Sequence, residues 1–305
     1  MVLHSVRGRF AAIKEKSQHR KREGARAGTV AAEGQVTKIR GAMDDPLVLR
    51  ARSGDAGALE ELLAGVAPSI ERFGRRMCGN PHDADDVLQD TLLSVATHLG
   101  EFEGRSSLLS WVFTLARNAC SRRRRGLKNR PPVSDDQAPE ARDPAATPEE
   151  RAANQELSDV LGRALDTLPD GYREVILLRD VEGLTAPDAA TALGISVDAL
   201  KSRLHRAREA LRTALKPVLE QGAATPSPGC PEVATLWSRK LEGELSQHDC
   251  ATMEEHLKTC AACSTACDAL KKALLACRRS AASEVRPEVQ ARVKAAVRAW
   301  SARPR

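Results

Sequence analysis

Six of the eight cysteines lie within the 48 residues from Cys230 to Cys277, and this cluster is the strongest sign of chemistry in the sequence. His256, Cys260, Cys263 and Cys267 follow one another at spacings of four, three and four residues, so on one continuous helix they would share a face. Thiolates and neutral imidazole suit soft or borderline ions, so we expect a site for Cu(I), Zn(II) or Cd(II). The candidate ligands are Cys230, Cys250, His256, Cys260, Cys263, Cys267 and Cys277, with His248 as a substitute.

The clustered thiols are also compatible with a structural zinc or with disulfides. A structural zinc needs only four ligands and has no sensing role. Disulfides in a cytoplasmic chain would be transient and redox-sensing rather than structural. The surplus of thiols over four favours a sensor. The two remaining cysteines, Cys78 and Cys120, lie inside helical patterns and are expected to be buried small hydrophobes.

A second group of residues, between 184 and 211, contains the parts of a helix-turn-helix in order. Thr185 can cap a short helix, Gly194 can take the positive φ of a tight turn, and Ser196 can cap a longer helix. The longer helix has an apolar stripe and a basic face of the size that enters the major groove of DNA. That basic face consists of Lys201, His205, Arg208 and Arg212, with Ser202 and Arg206 beside them.

The elements that position these groups are predicted to be helices throughout. The chain has only three Trp, one Tyr and four Phe beside 29% charged residues, which favours aliphatic helix seams over aromatic sheets. We therefore predict an all-α fold with two helical domains joined by a flexible linker, plus a small helical Cys-rich, zinc-finger-like domain. The expected boundaries are a disordered basic tail at 1–43, a helical bundle at 44–125, a Pro-rich linker at 126–150, a helix-turn-helix unit at 151–217, a second linker at 218–229, the Cys-rich metal-binding domain at 230–280 and an amphipathic C-terminal helix or tail at 281–305.

The net charge of +6 belongs to the N-terminal tail. Residues 1–42 hold ten Lys/Arg and three Asp/Glu, a net +7, so the rest of the chain carries −1. Met43 opens the first helical pattern and is an alternative start that would remove this tail. No segment approaches the roughly 20 apolar residues that span a bilayer, and nothing resembles a secretion signal. We therefore expect a cytoplasmic protein with no membrane partner.

Two stretches of the chain resemble a known family. The first comprises Asp83–Asp90, Phe102–Ser107, Trp111, Leu115–Ala119 and the arginine run after it. It closely resembles region 2 of the extracytoplasmic-function (ECF) sigma factors, the smallest members of the sigma-70 family. The second stretch, 151–216, resembles region 4 through Leu168-Pro169, Tyr172–Val175 and the helix-turn-helix.

This resemblance implies a dissociable specificity subunit of bacterial RNA polymerase that reads the −10 and −35 promoter elements and has no catalytic residue. Region 4 would bind the −35 element through Lys201, Ser202, Arg203, His205, Arg206 and Arg208. Region 2 would hold a flipped base of the −10 element and the DNA beside it through Arg105, Ser106, Asn118, Arg122 and Arg123. The clamp helices of the largest polymerase subunit would contact Asp83, Asp86, Gln89 and Asp90.

The Cys-rich end is similar to zinc-binding anti-sigma domains, and more closely to the C-terminal domain of the CorE-like sigma factors. The matching residues are Cys230, Leu241-Glu242-Gly243, Cys250, His256, Cys260, Cys263, Cys267 and Cys277. This resemblance implies that a bound ion controls promoter binding at copper, zinc or cadmium resistance genes, with no separate anti-sigma factor required. The alternative is a thiol-redox or structural-zinc regulator of the anti-sigma kind.

Two rival functions differ in what they require. A zinc hydrolase needs an open metal position and a placed general base, and no such paired motif stands out. A helix-turn-helix repressor would bind its operator without polymerase.

At the C-terminus, a basic helix repeats apolar residues every three or four positions, at Val285, Val289, Val293, Val297 and Trp300, and we expect it to pack on the other units.

Overall fold

The computed structural model describes residues 45–78, 80–126, 159–219, 229–280 and 287–302. Every regular element in these ranges is helical, so the predicted all-α fold is confirmed. The expected tail at 1–43, and almost all of the two expected linkers, lie outside the described residues. None of the helices within those ranges is both long and apolar enough to cross a lipid bilayer.

The first unit is a helical bundle whose helix starts are set by side-chain caps. Asp45, Asp55 and Asn80 each accept a hydrogen bond from a backbone N–H in the first turn of the helix that follows. Apolar side chains at helical spacing meet between the helices, and the rings of Phe73 and Phe113 lie 5.5 Å apart in this core. The elements are α1 Pro46–Arg52, α2 Ala56–Met77, α3 Pro81–His98, a 3-10 turn at Leu99–Glu101 and α4 Leu108–Gly126.

The second unit contains the predicted helix-turn-helix. The Thr185 side chain caps the first helix of the motif, Gly194 makes the turn with a φ of +66°, and Ser196 accepts a hydrogen bond from the first turn of the second helix. A helical stretch at 159–166 precedes this motif. The other elements are α5 Asp170–Ile176, a π-helical turn at Leu177–Val181, α6 Ala186–Leu193 and α7 Val197–Leu219.

The third unit corrects one expectation about the thiols. His256 and Cys263 do not share one continuous helix, because Cys260 leaves the helical conformation with φ −106° and ψ 102°. One helix ends at Thr259 and the next begins at Ala261. The elements of this unit are α8 Val233–Leu241, α9 Gln247–Thr259, α10 Ala261–Ser280 and α11 Pro287–Ser301.

The three units pack against one another. The buried residues of the first two units form one continuous hydrophobic cluster. Helices α8 and α10 pack on α7, and α10 also packs on the π-helical turn. The C-terminal helix α11 lies on α2 and α3, where Val289, Val293 and Val297 are buried in the core of the first unit. For Val289, Val293, Val297 and Trp300 the expectation that this apolar stripe packs on the other units is confirmed, and Val285 lies outside the described residues.

Cys78 and Cys120 lie in the core of the first unit. Both are 3% exposed, as expected for buried small side chains. The structure in addition joins them as a disulfide between the end of α2 and α4.

Candidate functional site

Four side chains of the third unit converge on one point. Cys230 lies just before α8, His256 in the last turn of α9, Cys260 at the break between two helices, and Cys263 in the first turn of α10. Their ligand atoms all lie within 4.8 Å of one another. The break at Cys260 turns the chain between α9 and α10, and the imidazole of His256 faces the same point as the thiols of Cys260 and Cys263.

These donors fit a tetrahedral zinc ion. The sulfurs of Cys230 and Cys260 are 3.8 Å apart, which is close to the edge of a tetrahedron whose zinc–sulfur bonds are about 2.3 Å. The Nε2 atom of His256 is buried without a hydrogen-bond partner, and a bound ion would satisfy it. Three thiolates and one imidazole form a closed ligand set, which is typical of a structural zinc and leaves no open position for catalysis.

The protonation of these thiols differs between two neighbours. Burial, with the nearby Cys230 and Cys260, raises the pKa of Cys263 to about 12. The backbone N–H of Cys263 lowers the pKa of Cys260, since it stabilises the thiolate. At neutral pH, therefore, Cys263 carries a proton that a metal ion has to displace.

Three of the predicted ligands lie apart from this group. Cys267 is buried one turn further along α10, and burial raises the pKa of its thiol. Cys250 is partly buried in the first turn of α9, and the side chain of Cys277 lies outside the described residues. Cys250 and Cys267 carry free thiols, as do the three cysteines of the converging group. Metal binding by the three outlying cysteines stays a prediction.

The predicted DNA-reading helix α7 is covered along one side by the third unit. Lys201 Nζ lies 3.1 Å from one carboxylate oxygen of Glu244, and His205 Nε2 lies 2.8 Å from the other. Burial by itself would raise the pKa of Glu244, but hydrogen bonds from His205 and Lys201 outweigh burial and lower that pKa overall. Ser202 and Arg206 are exposed, so only part of the predicted basic face is accessible.

Arg208 belongs to a buried network. The guanidinium lies 2.6 Å from Asp180 Oδ1 and 2.9 Å from Glu242 Oε1, and Arg179 lies 2.6 Å from the other oxygen of Glu242. Burial alone would raise the pKa of Glu242, but the two guanidiniums lower it overall. Arg208 was expected to contact DNA phosphates. In this structure it is 2% exposed and not accessible to DNA, because Asp180 and Glu242 occupy its guanidinium.

The acidic helix α3 holds the residues expected to contact polymerase. Arg123 lies 2.6 Å from Asp86 and 3.1 Å from Asp90, so a residue predicted to bind DNA is paired with two predicted to bind polymerase. The amide oxygen of Gln89 accepts a hydrogen bond from Arg292 of α11 at 3.3 Å. Asp83 lies in the first turn of α3, where its backbone N–H donates to the capping side chain of Asn80.

The loop expected to hold a flipped base meets the second unit. The backbone N–H of Ser107 donates to Asp188 Oδ1 at 3.0 Å, and the Ser110 hydroxyl donates to the Asp188 carbonyl at 2.7 Å. Nearby predicted residues differ in exposure: Ser106 is partly buried and Arg105 is exposed. On α4, Asn118 and Arg122 are exposed, and on α7 Arg203 is partly buried.

Sequence reasoning did not identify the residues that cover these surfaces. Glu242 and Glu244 flank a glycine and therefore share a turn, which is a local signal in the sequence. No sequence pattern indicated the contacts of Arg292 and Asp188, because each forms a hydrogen bond with a residue that is distant along the chain.

Three family models match the chain. Residues 62–130 match Sigma-70 region 2, residues 158–211 match Sigma-70 region 4, and residues 230–264 match a zinc-finger family. The predicted resemblance to regions 2 and 4, and to a zinc finger, is confirmed. The narrower resemblance to the CorE-like sigma factors stays a prediction.

Curated relatives agree with these models. The chain is 31% identical over 186 residues to the RNA polymerase sigma-H factor of Pseudomonas aeruginosa, covering 58% of this chain and 96% of that protein. It is 35% identical over 156 residues to the ECF RNA polymerase sigma factor EcfG of Rhodopseudomonas palustris, covering 51% and 83%. Little more than half of this chain therefore matches nearly the whole of a relative.

Two solved structures also align with part of this chain. CnrH, solved in complex with the cytosolic domain of CnrY, is 29% identical with a TM-score of 0.44, covering 59% of this chain and 99% of that chain. RpoE, solved with the anti-sigma factor NepR from Bartonella quintana, is 28% identical with a TM-score of 0.40, covering 50% and 92%. For this chain, the expectation that no separate anti-sigma factor is required stays a prediction.

Proposed function

Because the chain belongs to the ECF sigma factors of the sigma-70 family, we propose that its third, C-terminal unit (α8–α11) covers the surfaces that bind polymerase and DNA. These surfaces would stay covered until the metal bound in this unit is lost or exchanged. Sigma factors bind RNA polymerase and promoter DNA and carry out no reaction of their own, so the chain is not an enzyme. The observation that carries the proposal is that the C-terminal unit covers α3 and α7, which hold the residues expected to contact polymerase and DNA.

Masking of the polymerase surface rests on α11. Its buried valines extend the core of the first unit, and Arg292 bonds to both Asp85 and Gln89 of α3. The clamp helices of polymerase and α11 would then compete for the same helix. Because that competition is intramolecular, α11 acts at a high effective concentration and needs no great affinity of its own.

Masking of the DNA surface rests on the turn after α8. Glu244 pairs with Lys201 and His205, and Glu242 pairs with Arg208. The −35 element would need the same side chains, since Lys and Arg neutralise DNA phosphates and polar side chains also bond to them. The second unit would therefore have to leave the third unit before it could bind a promoter fully.

The metal connects these contacts to a signal. The small core that contains Cys263 also contains Val233 of α8 and Leu245, which is next to Glu244 along the chain. A zinc ion bound by Cys230, His256, Cys260 and Cys263 would therefore fix the turn that holds α7. Loss of that ion would loosen the turn, because metal binding and folding are coupled in small domains of this kind.

The proposal extends to the ion and to the genes controlled. Copper, zinc and cadmium all bind thiolates, and a softer ion could displace zinc from three thiolates and a histidine. The genes controlled would be those that handle such metals, and the protein would act in the cytoplasm together with bacterial RNA polymerase. The outlying Cys250 and Cys267 would serve as further thiols during exchange.

Promoter-specific transcription in vitro tests this function. The intact chain, loaded with zinc, is added to core RNA polymerase and compared with the same chain after chelation and after copper or cadmium addition. We expect weak initiation with zinc and stronger initiation after its loss or exchange. The Cys260→Ser, Cys263→Ser double variant should be active at every metal concentration. Transcription that still follows the metal in this variant would contradict the sensor role.

A further inference from the structure

We propose that Glu242 and Glu244 act as substitutes for DNA phosphates on α7, so that the third unit and the DNA backbone exclude each other directly. This inference rests on the proposed function, because it takes α7 as the DNA-reading helix. It goes further by naming the chemistry of the exclusion: two carboxylates in one turn in place of two phosphates.

The side chains that pair with Glu242 and Glu244 support the proposal. Glu244 binds Lys201 and His205, while Glu242 binds Arg179 and Arg208. Three of these four partners were assigned to DNA from the sequence alone: Lys201, His205 and Arg208. A carboxylate and a phosphate present the same kind of anionic oxygen to such side chains. The turn therefore meets the groups that a DNA backbone would meet.

The backbone explains how two acids so close in sequence reach one helix. Gly243 has a φ of +71°, a backbone conformation that residues other than glycine rarely adopt. The resulting turn directs Glu242 and Glu244 onto residues spread over two turns of α7. Two other acids of the third unit form ion pairs within that unit: Glu254 pairs with Lys240, and Glu255 pairs with Lys258.

Burial distinguishes the two carboxylates. The Glu242 side chain is 1% exposed and Arg208 is 2% exposed, so this pair anchors the contact. Glu244 is 28% exposed and lies at the edge, where incoming DNA would first compete with it. Glu244 is therefore the residue to change, because its loss should leave the anchor and the fold in place.

A DNA-binding measurement without polymerase tests the inference. The intact, zinc-loaded chain is titrated into a fluorescein-labelled duplex of mixed sequence, about 30 base pairs long, at low salt, because phosphate contacts need no specific sequence. Glu244→Gln should bind this duplex about tenfold more tightly than the wild-type chain, since Lys201 and His205 lose their carboxylate partner and can bond to phosphates. Glu255→Gln, which removes the same charge from an exposed pair in α9, should not change the affinity. The basic residues 1–42 are present in all variants, so their contribution to DNA affinity is the same in each and does not affect the comparison.

Folding and metal content are checked by circular dichroism and zinc analysis. Equal affinities of the wild-type chain and of folded, zinc-loaded Glu244→Gln would overturn the inference. That result would leave the proposed function standing if zinc removal still increased polymerase-dependent transcription. Conversely, tighter DNA binding by Glu244→Gln without any effect of zinc on transcription would support the phosphate substitution and refute the metal gate.

Discussion

Arg292 of α11 donates a hydrogen bond to the backbone carbonyl of Asp85 at 3.1 Å and forms an ion pair with the Asp85 carboxylate at 3.2 Å. One side chain of α11 thus binds the N-terminal half of helix α3. Four residues of that helix were assigned to polymerase, and Gln89 among them bonds to the same guanidinium.

The Arg292–Asp85 contact predicts a charge-reversal effect. Arg292→Glu would place two carboxylates side by side and expel α11 from α3, because like charges at this distance repel. We expect the affinity for core RNA polymerase to increase by about fivefold to tenfold. Arg298→Glu is the control, since Arg298 is exposed on the same helix and donates to the Lys294 carbonyl of that helix. A binding titration with labelled protein measures both; equal affinities of the two variants would refute the role of Arg292.

The metal site predicts which histidine matters. His256→Ala should remove one of four ligands and weaken zinc binding by about tenfold or more. His248→Ala, on the exposed side of the same helix, should bind zinc as the wild-type chain does. Competition with a chromophoric chelator gives both affinities and the stoichiometry. More than one tightly bound zinc per chain would contradict a single four-ligand site.

The protonated Cys263 predicts the pH dependence of zinc binding. Its pKa is raised to about 12, so it is a thiol at neutral pH and must lose its proton when zinc binds. The metal binds the deprotonated form, and rising pH therefore favours binding. The apparent affinity should increase about tenfold per pH unit for each proton released. Titrations between about pH 6.5 and 8 check this; an affinity that does not change with pH would show that Cys263 is not a ligand.

Asp188 predicts a second contact that keeps the chain closed. Asp188→Ala would remove the acceptor of the Ser107 N–H and weaken the packing of α6 on the loop of the first unit that is predicted to hold a flipped base. We expect several-fold tighter binding of a single-stranded −10 oligonucleotide. Asp198→Ala is the control, because Asp198 is also an acid in the first turn of a helix and is exposed. Fluorescence anisotropy distinguishes the two, and an equal response of both variants would rule out this contact.

Arg208 predicts a loss of stability. Arg208→Ala would leave Asp180 and Glu242 buried without their shared cation. Removing one partner of a buried ion pair typically costs about 3–5 kcal/mol. Urea unfolding measures this free energy. Arg206→Ala, an exposed neighbour on α7, should change it by less than about 0.5 kcal/mol. A similar loss in both variants would show that the buried network is not what stabilises this contact.

The sequence predicted the elements whose signals are local. Thr185, Gly194 and Ser196 mark the helix-turn-helix because caps and positive-φ turns depend on neighbouring residues. The thiols predicted a metal site with Cys230 among its candidate ligands, but not the helix break at Cys260 or which four of the candidates converge. Contacts such as those of Arg292 and Glu244 depend on how whole units pack. No periodicity within one helix could have predicted them.

The most direct measurement is the affinity of the intact chain for bacterial core RNA polymerase, with zinc bound and after its removal. We predict that the zinc-loaded chain binds weakly and that the zinc-free chain binds about tenfold more tightly, because α11 and the 242–244 turn then release α3 and α7. Equally tight binding of both forms would contradict masking by the C-terminal unit.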